Sequence, residues 1–202
     1  MWNQIFNPEN AFWLFMAKIT DLFFVSLLFL VFSLPVFTIG ASTSALFNFI
    51  LKQYEEREGH VFRTFFTAFK KNFKQATIIF LLSIVAVIFF YVDYYAIFNF
   101  EIPPLLKIMS FGVITFLAIV VLIILVYIYP LTAFYKIQTR KAVKDAFLLG
   151  LKKLGFTFLI IIVYIIFGFL SYKYTYFTVF FVSLAIFCVT PIMVGIFKSL
   201  QE

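Results

Sequence analysis

Four stretches of this chain are apolar over the thickness of a bilayer: Thr77 to Phe98, Ile108 to Tyr129, Leu154 to Leu170 and Thr175 to Phe197. About 20 such residues cross a hydrocarbon layer of roughly 30 Å, so each reads as a transmembrane helix. A fifth stretch, from about Ile19 to Ile39, precedes them and is less clean. Lys18 and Asp21 stand close enough at its outer end to pair on a helix, and Pro35 removes a backbone donor, so this span should bend or end there. With 64% hydrophobic and 12% charged residues, the chain has too little polar surface to cover a water-facing globule. The expected fold is therefore all-α: a polytopic membrane helical bundle of about five spans, forming a single domain over residues 1–202.

Charge gives the bundle a direction. Lys52, Arg57, Arg63, Lys70, Lys71 and Lys74 lie between the first two spans. Lys136, Arg140, Lys141, Lys144, Lys152 and Lys153 lie between the third and fourth, and Lys198 follows the fifth. The other side of the alternation holds Lys18, Lys107 and Lys173. The excess of Lys and Arg on cytoplasmic loops assigns the basic side to the cytoplasm, the N-terminus outside and the C-terminus inside, as an odd number of spans requires. A net charge of +7 then faces the anionic lipids of the inner leaflet rather than nucleic acid, because no soluble domain is left to read a groove.

Met1 to Met16 has no basic group ahead of the apolar run, and no small-residue cleavage site follows it, so a cleaved leader is not expected. The single cysteine, Cys188, allows neither an intramolecular disulfide nor a thiolate metal site. Thirty-three Phe and a marked preference for Lys over Arg are what an AT-rich genome encodes, which points to the cell membrane of a low-GC bacterium.

Both basic loops contain a second element. Between Val61 and Ala76, the residues Val61, Phe62, Phe65, Phe66, Phe69 and Phe73 recur at three- and four-residue steps, with Arg63, Lys70, Lys71 and Lys74 on the other face. The pattern predicts an amphipathic helix over 61–76 lying in the cytoplasmic interface. Residues 140–153 repeat the design, with Val143, Ala146, Phe147, Gly150, Leu151 and Leu154 on one face and Lys141, Lys144, Asp145 and Lys152 on the other. Phe65 to Lys71 and Ala146 to Lys153 look alike, each ending in a Lys pair before a span, which suggests a weak internal repeat.

Chemistry-bearing groups are sparse. Gly40-Ala41-Ser42-Thr43-Ser44-Ala45 follows Pro35, and together they mark a turn after which a helix restarts with hydroxyls free to cap its amides. Close helix packing is the plain reading of that run; a nest for a phosphate or lipid head group is the functional one, although no lysine follows at phosphate-loop spacing. Asp93 and Glu101 read as loop carboxylates beside the belt of Tyr91, Tyr94 and Tyr95. His60, after Glu55, Glu56, Glu58 and Gly59, lacks neighbours that would complete a metal site. The expected contacts to lipid or a partner are Arg63, Lys70, Lys71, Lys74, Arg140, Lys141 and Lys144, and the expected structural turn is Pro35 with Gly40. No catalytic, cofactor or metal residue is assigned, and the absence of a midplane run of ionisable groups argues against an ion-coupled carrier or an intramembrane hydrolase.

Leu34 to Leu46, Gly59 to Phe66 and Phe69 to Ala76 resemble the YesL family, bacterial membrane proteins of about this length and of unknown function. The likeness extends along the whole chain, more loosely from Tyr129-Pro130-Leu131 onward. It implies an association with carbohydrate ABC importers and glycan-degrading enzymes, beside which such proteins tend to be encoded, and carries no catalytic residues. The short basic helices also resemble the coupling helices by which ABC permeases engage their ATPases, but Lys141 to Ala146 lacks the Glu-Ala-Ala and Asp-Gly pattern of sugar permeases. The expected function is a non-enzymatic accessory subunit of a carbohydrate ABC import system, with the bilayer and ABC permease subunits as partners. The alternative is a stand-alone small transporter or lipid-binding protein, acting as a homo-oligomer, with its site beside Gly40 to Ala45.

Overall fold

The computed structural model describes residues 11–55, 60–100, 103–135 and 137–198. Met1 to Asn10, Glu56, Arg57, Glu58, Gly59, Glu101 and Lys136 lie outside the described residues. Among the described residues, seven α-helices follow in order: α1 (Ala11–Ser33), α2 (Ile39–Tyr54), α3 (Val61–Asn99), α4 (Pro104–Phe134), α5 (Thr139–Lys152), α6 (Leu154–Lys173) and α7 (Thr178–Lys198). All regular structure among the described residues is helical, and α1, α3, α4, α6 and α7 are long and apolar enough to cross a membrane.

The first expected span divides in two. Helix α1 ends at Ser33 because Pro35 takes an extended conformation, and a 3₁₀ turn over Val36–Thr38 reverses the chain. The Thr38 hydroxyl lies 2.6 Å from both the Phe32 and Pro35 carbonyls. It therefore serves carbonyls left open where α1 ends and does not cap the amides of α2, contrary to the sequence expectation.

Helix α2 then doubles back against α1. Its run of small residues lets it lie close to α3, with Gly40, Ala41, Ser42, Ser44 and Ala45 all buried. A Cβ at Gly40 would strike the Ala76 carbonyl oxygen and come within 2.6 Å of Phe80 Cβ. The Asn72 side-chain amide donates to Ser44 Oγ at 2.9 Å across the same contact. At the other end of α2, the Gln53 amide reaches the Lys18 carbonyl and the Asp21 carboxylate, both at 3.4 Å. Helices α1 and α2 are thus antiparallel along their length, and Ser26 Oγ donates to Ser183 Oγ at 2.7 Å to bind the pair to α7.

Helix α3 corrects a second expectation. The interfacial helix over 61–76 and the span over 77–98 are one uninterrupted helix of 39 residues, about 58 Å long at 1.5 Å per residue. No Gly or Pro breaks it, and the change from basic to apolar residues near Ala76 alters its surroundings without altering its backbone. Its phenylalanine face is not spread on lipid. Phe65 and Phe69 are buried against Phe32 of α1, with ring centroids 5.6 and 5.0 Å apart, and Phe62 is the member left exposed.

The second basic segment does form a separate helix, α5, within a residue of the expected bounds. Lys153 leaves the helical conformation, and the Thr157 hydroxyl lies 3.1 Å from the Gly150 and Lys153 carbonyls exposed by the break. The two copies of the internal likeness therefore adopt different structures, one continuous and one broken. The buried face of α5 is Ala142, Ala146, Leu149 and Gly150, whereas Val143, Leu151 and Leu154, expected on that face, are exposed. Close approach to α4 explains the rotation, since a Cβ on Gly150 would collide with Ile123 Cγ2.

Two apolar clusters make up the interior. One joins α1, α2 and the first half of α3. The other joins α4, α5 and α6, and α7 contributes to both, as do α4 through Ala133 and α3 through Ile79. Leu51 and Lys52 of α2, Phe134 of α4, and Phe197 and Lys198 of α7 line one recess. Gln53, which bonds to Lys18 and Asp21, directly follows the recess-lining Leu51 and Lys52, so the first turns of α1 lie at the same end of the bundle as the last turn of α7. An odd number of spans predicts opposite faces for the two ends; within the bundle, α2 runs back along α1 and brings the start of α1 to the basic end. Lys18 joins the basic end as a result, and among the described residues Lys107 and Lys173 are the cations of the other.

With Cys188 replaced by Ser, single cysteines at Phe12 and Lys198 should react with a membrane-impermeant thiol reagent from the same side, and one at Lys107 from the opposite side. Labelling of Phe12 and Lys198 from opposite sides would refute the hairpin of α1 and α2. Gly40→Ala should lower stability by about 1–3 kcal/mol, seen as earlier thermal unfolding in detergent. Gly112→Ala, where a Cβ meets nothing within 4 Å, should leave stability unchanged or slightly raised.

Candidate functional site

The basic residues expected to form one lipid-facing patch on α3 separate into three environments. Arg63 and Lys74 are exposed. Lys70 folds onto its own helix, with Nζ 4.6 Å from the centre of the Phe66 ring, a cation–π contact that holds the ammonium near the helix surface. Lys71 turns instead toward the ends of α2, α4 and α7. There it lines a cavity of about 360 Å³ together with Lys52, Lys198, Asn48, Glu55 and Tyr135. Lys52 and Lys198 each stand in the last turn of a helix, where cations complement the exposed carbonyls. Asn48 holds the wall in place by donating to the Ala133 carbonyl at 2.9 Å, and Gln75 does the same to Ile137 at 2.9 Å.

The cations of α5 form a single outward face. Arg140, Lys141 and Lys144 are exposed while the opposite side of the helix is seated on α4 through Ala142, Ala146 and Gly150. The seat is reinforced at its far end, where the Tyr127 and Thr157 hydroxyls are hydrogen bonded at 2.9 Å and both residues are buried. Asp145 is half-buried and shares a groove with Lys141 and Lys152. The result is a short cationic helix seated by packing on α4, with its basic residues exposed.

A second cavity of about 460 Å³ lies deeper in the bundle, between α2, α4, α6 and α7. Its walls are predominantly apolar, with Phe47, Val126, Phe167 and Ile186 among them, and hydroxyl-bearing Thr43, Tyr129 and Tyr164 at intervals. Volumes of roughly 300–1,000 Å³ with apolar walls and a few polar groups are typical of small-molecule sites.

The remaining sequence candidates do not converge. The run Gly40 to Ala45 is buried helix against α3, with no space for a head group, and Thr43 is its one member facing a cavity. Pro35 stands in the turn after α1, whereas Gly40, expected to share that turn, lies in the first turn of α2 against α3. Asp93 is half-buried on α3, in the half of the helix that pairs with α4 through a hydrogen bond of 3.0 Å between Tyr94 and Thr115. His60 precedes the first turn of α3, and no group of three or more His, Cys, Asp and Glu placed to hold a metal occurs among the described residues. Lys52 and Lys198 were missed as a pair because nothing in a linear reading places the ends of α2 and α7 together; their shared signal is a lysine in the last turn of an apolar helix.

Comparison with known proteins adds one finding. Residues 10–94 match the model of a family described as a protein of unknown function, DUF624. No curated protein and no solved structure matches the chain. The matched segment covers α1, α2 and most of α3, and includes the residues that carry the resemblance noted above.

Thr157→Val should test how firmly α5 is seated. It strands the Tyr127 hydroxyl in a buried position, which costs about 1–3 kcal/mol. Thermal unfolding should come earlier, and hydrogen exchange in α5 should rise more than in α2.

Proposed function

We propose that the chain is a non-enzymatic integral membrane accessory subunit of a carbohydrate ABC import system, docking to its partner through the outer face of α5. The supporting observation is the division of that helix. Its inner face is packed on α4, while Arg140, Lys141 and Lys144 are all exposed, with Lys141 at the edge of the groove it shares with Asp145. Residues that merely skimmed the lipid surface would need no such seat. Assigning the basic end of the bundle to the cytoplasm by the positive-inside rule places α5 where a permease or its ATPase is reached. The carbohydrate importer itself rests on the resemblance of Leu34 to Ala76 to the YesL family.

A second reading, a stand-alone lipid-binding or transport protein, draws support from the apolar cavity between α2, α4, α6 and α7. Flux of substrate into liposomes that hold this protein alone would favour it.

The docking reading is tested by Arg140→Glu, Lys141→Glu and Lys144→Glu together. These exposed positions should alter stability by about 0.5 kcal/mol each at most, with a small further effect where the Lys141 and Asp145 spacing is disturbed. The tagged wild type purified from its native membrane should bring down permease subunits, and the triple variant should lose them while unfolding at the same temperature. Recovery of an identical set of proteins with both would sink the proposal.

A further inference from the structure

Lys52, Lys71 and Lys198 come from three different helices and share one recess with a single carboxylate, Glu55. Two of them complement the carbonyls at the end of their own helix. Lys71 has no such role, because it sits well inside α3, and it nonetheless faces the same recess. Gathering three ammonium groups around one cavity carries a mutual repulsion that an anion relieves.

Three helices, α2, α4 and α7, contribute to both the apolar cavity and the cationic one. On α2, Phe47 lines the first and Asn48 the second; on α4, Tyr129 and Ala133 divide in the same way; on α7, Ile186 and Val194 do so again. Three helices therefore carry a cationic recess at the end of the bundle and an apolar one nearer its middle. Basic pockets between transmembrane helices are places where anionic lipid head groups settle.

We infer that the two cavities together hold one anionic phospholipid, with its phosphate among Lys52, Lys71 and Lys198 and one acyl chain in the cavity between α2, α4, α6 and α7. The phosphate alone could come from solution, but a predominantly apolar cavity on the same three helices suits an acyl chain and offers a free phosphate nothing. The inference stands whether or not the chain joins an importer, since neither cavity involves the outer face of α5.

The protein purified in mild detergent should retain phosphatidylglycerol, identified by mass spectrometry of the intact complex. Lys52→Gln, Lys71→Gln and Lys198→Gln combined should weaken retention on the order of a hundredfold, taking each lysine at its usual strength near an anionic surface. Gly168→Leu should plug the apolar cavity without a clash, because Gly168 lines it and a Cβ there meets nothing within 4 Å. It should reduce retention of phosphatidylglycerol while leaving unfolding in lipid-free detergent unchanged. If the triple variant fails to fold, Lys71→Gln alone, on an exposed side chain, should still weaken retention about fivefold. Equal retention by the wild type and the lysine variants would overturn the site. Displacement of the lipid by millimolar inorganic phosphate, or undiminished retention by Gly168→Leu, would overturn the lipid as its occupant.

Discussion

The close contact between α2 and α3 is the interaction on which the rest of the arrangement depends. Helix α2 has 16 residues, about 24 Å, too short to cross a hydrocarbon layer alone. It also carries hydroxyls and an asparagine that lipid would not satisfy. Both problems are removed by burial. Gly40 allows backbone to meet backbone at Ala76, Asn72 bonds to Ser44, and α1 and α7 close the remaining sides. Without the glycine, α2 would stand away from α3, and the seat it offers to α1 and α7 would widen with it.

Polar contacts of this kind hold the two halves of the bundle together. Lipid tails are as apolar as leucine, so apolar surface alone gives little reason for one helix to prefer another. Ser26 to Ser183 joins the first of these helices to the last, while Asn72 to Ser44 and Tyr127 to Thr157 tie helices within each half. They act where small residues have already brought the helices near, and so give each approach a register. Ser42 and Ser33 are buried with hydroxyls that lack a partner, which shows that the α2 region tolerates polar atoms beyond those it pairs.

The later spans could be read from sequence because length and uniform apolarity are sufficient signals there. The expected starts and ends over 154–170 and 175–197 fall close to α6 and α7. The restart of a helix near Gly40 was legible, but its return along α1 was not, because its packing partner, Asn72 to Phe80, is distant in the sequence. The division of 61–99 failed for a different reason, since a change in polarity was taken for an end where no capping or breaking residue stands. At the candidate site, lysines on α5 were legible because they share one helical face. Lys52, Lys71 and Lys198 were not, because their proximity is a product of three helix ends meeting.

The composition of α2 also bears on how the molecule is made. Helix α1 can partition into lipid as soon as it is synthesised, but Ile39–Tyr54 carries little apolar drive of its own. It gains a favourable place only once Val61 to Phe80 has been translated and can cover it. Membrane integration of this chain is therefore not a strict sequence of independent insertions from the amino end. The second helix must wait at the translocon or the interface for the third, and the segment from α1 to α3 enters as one cooperative unit.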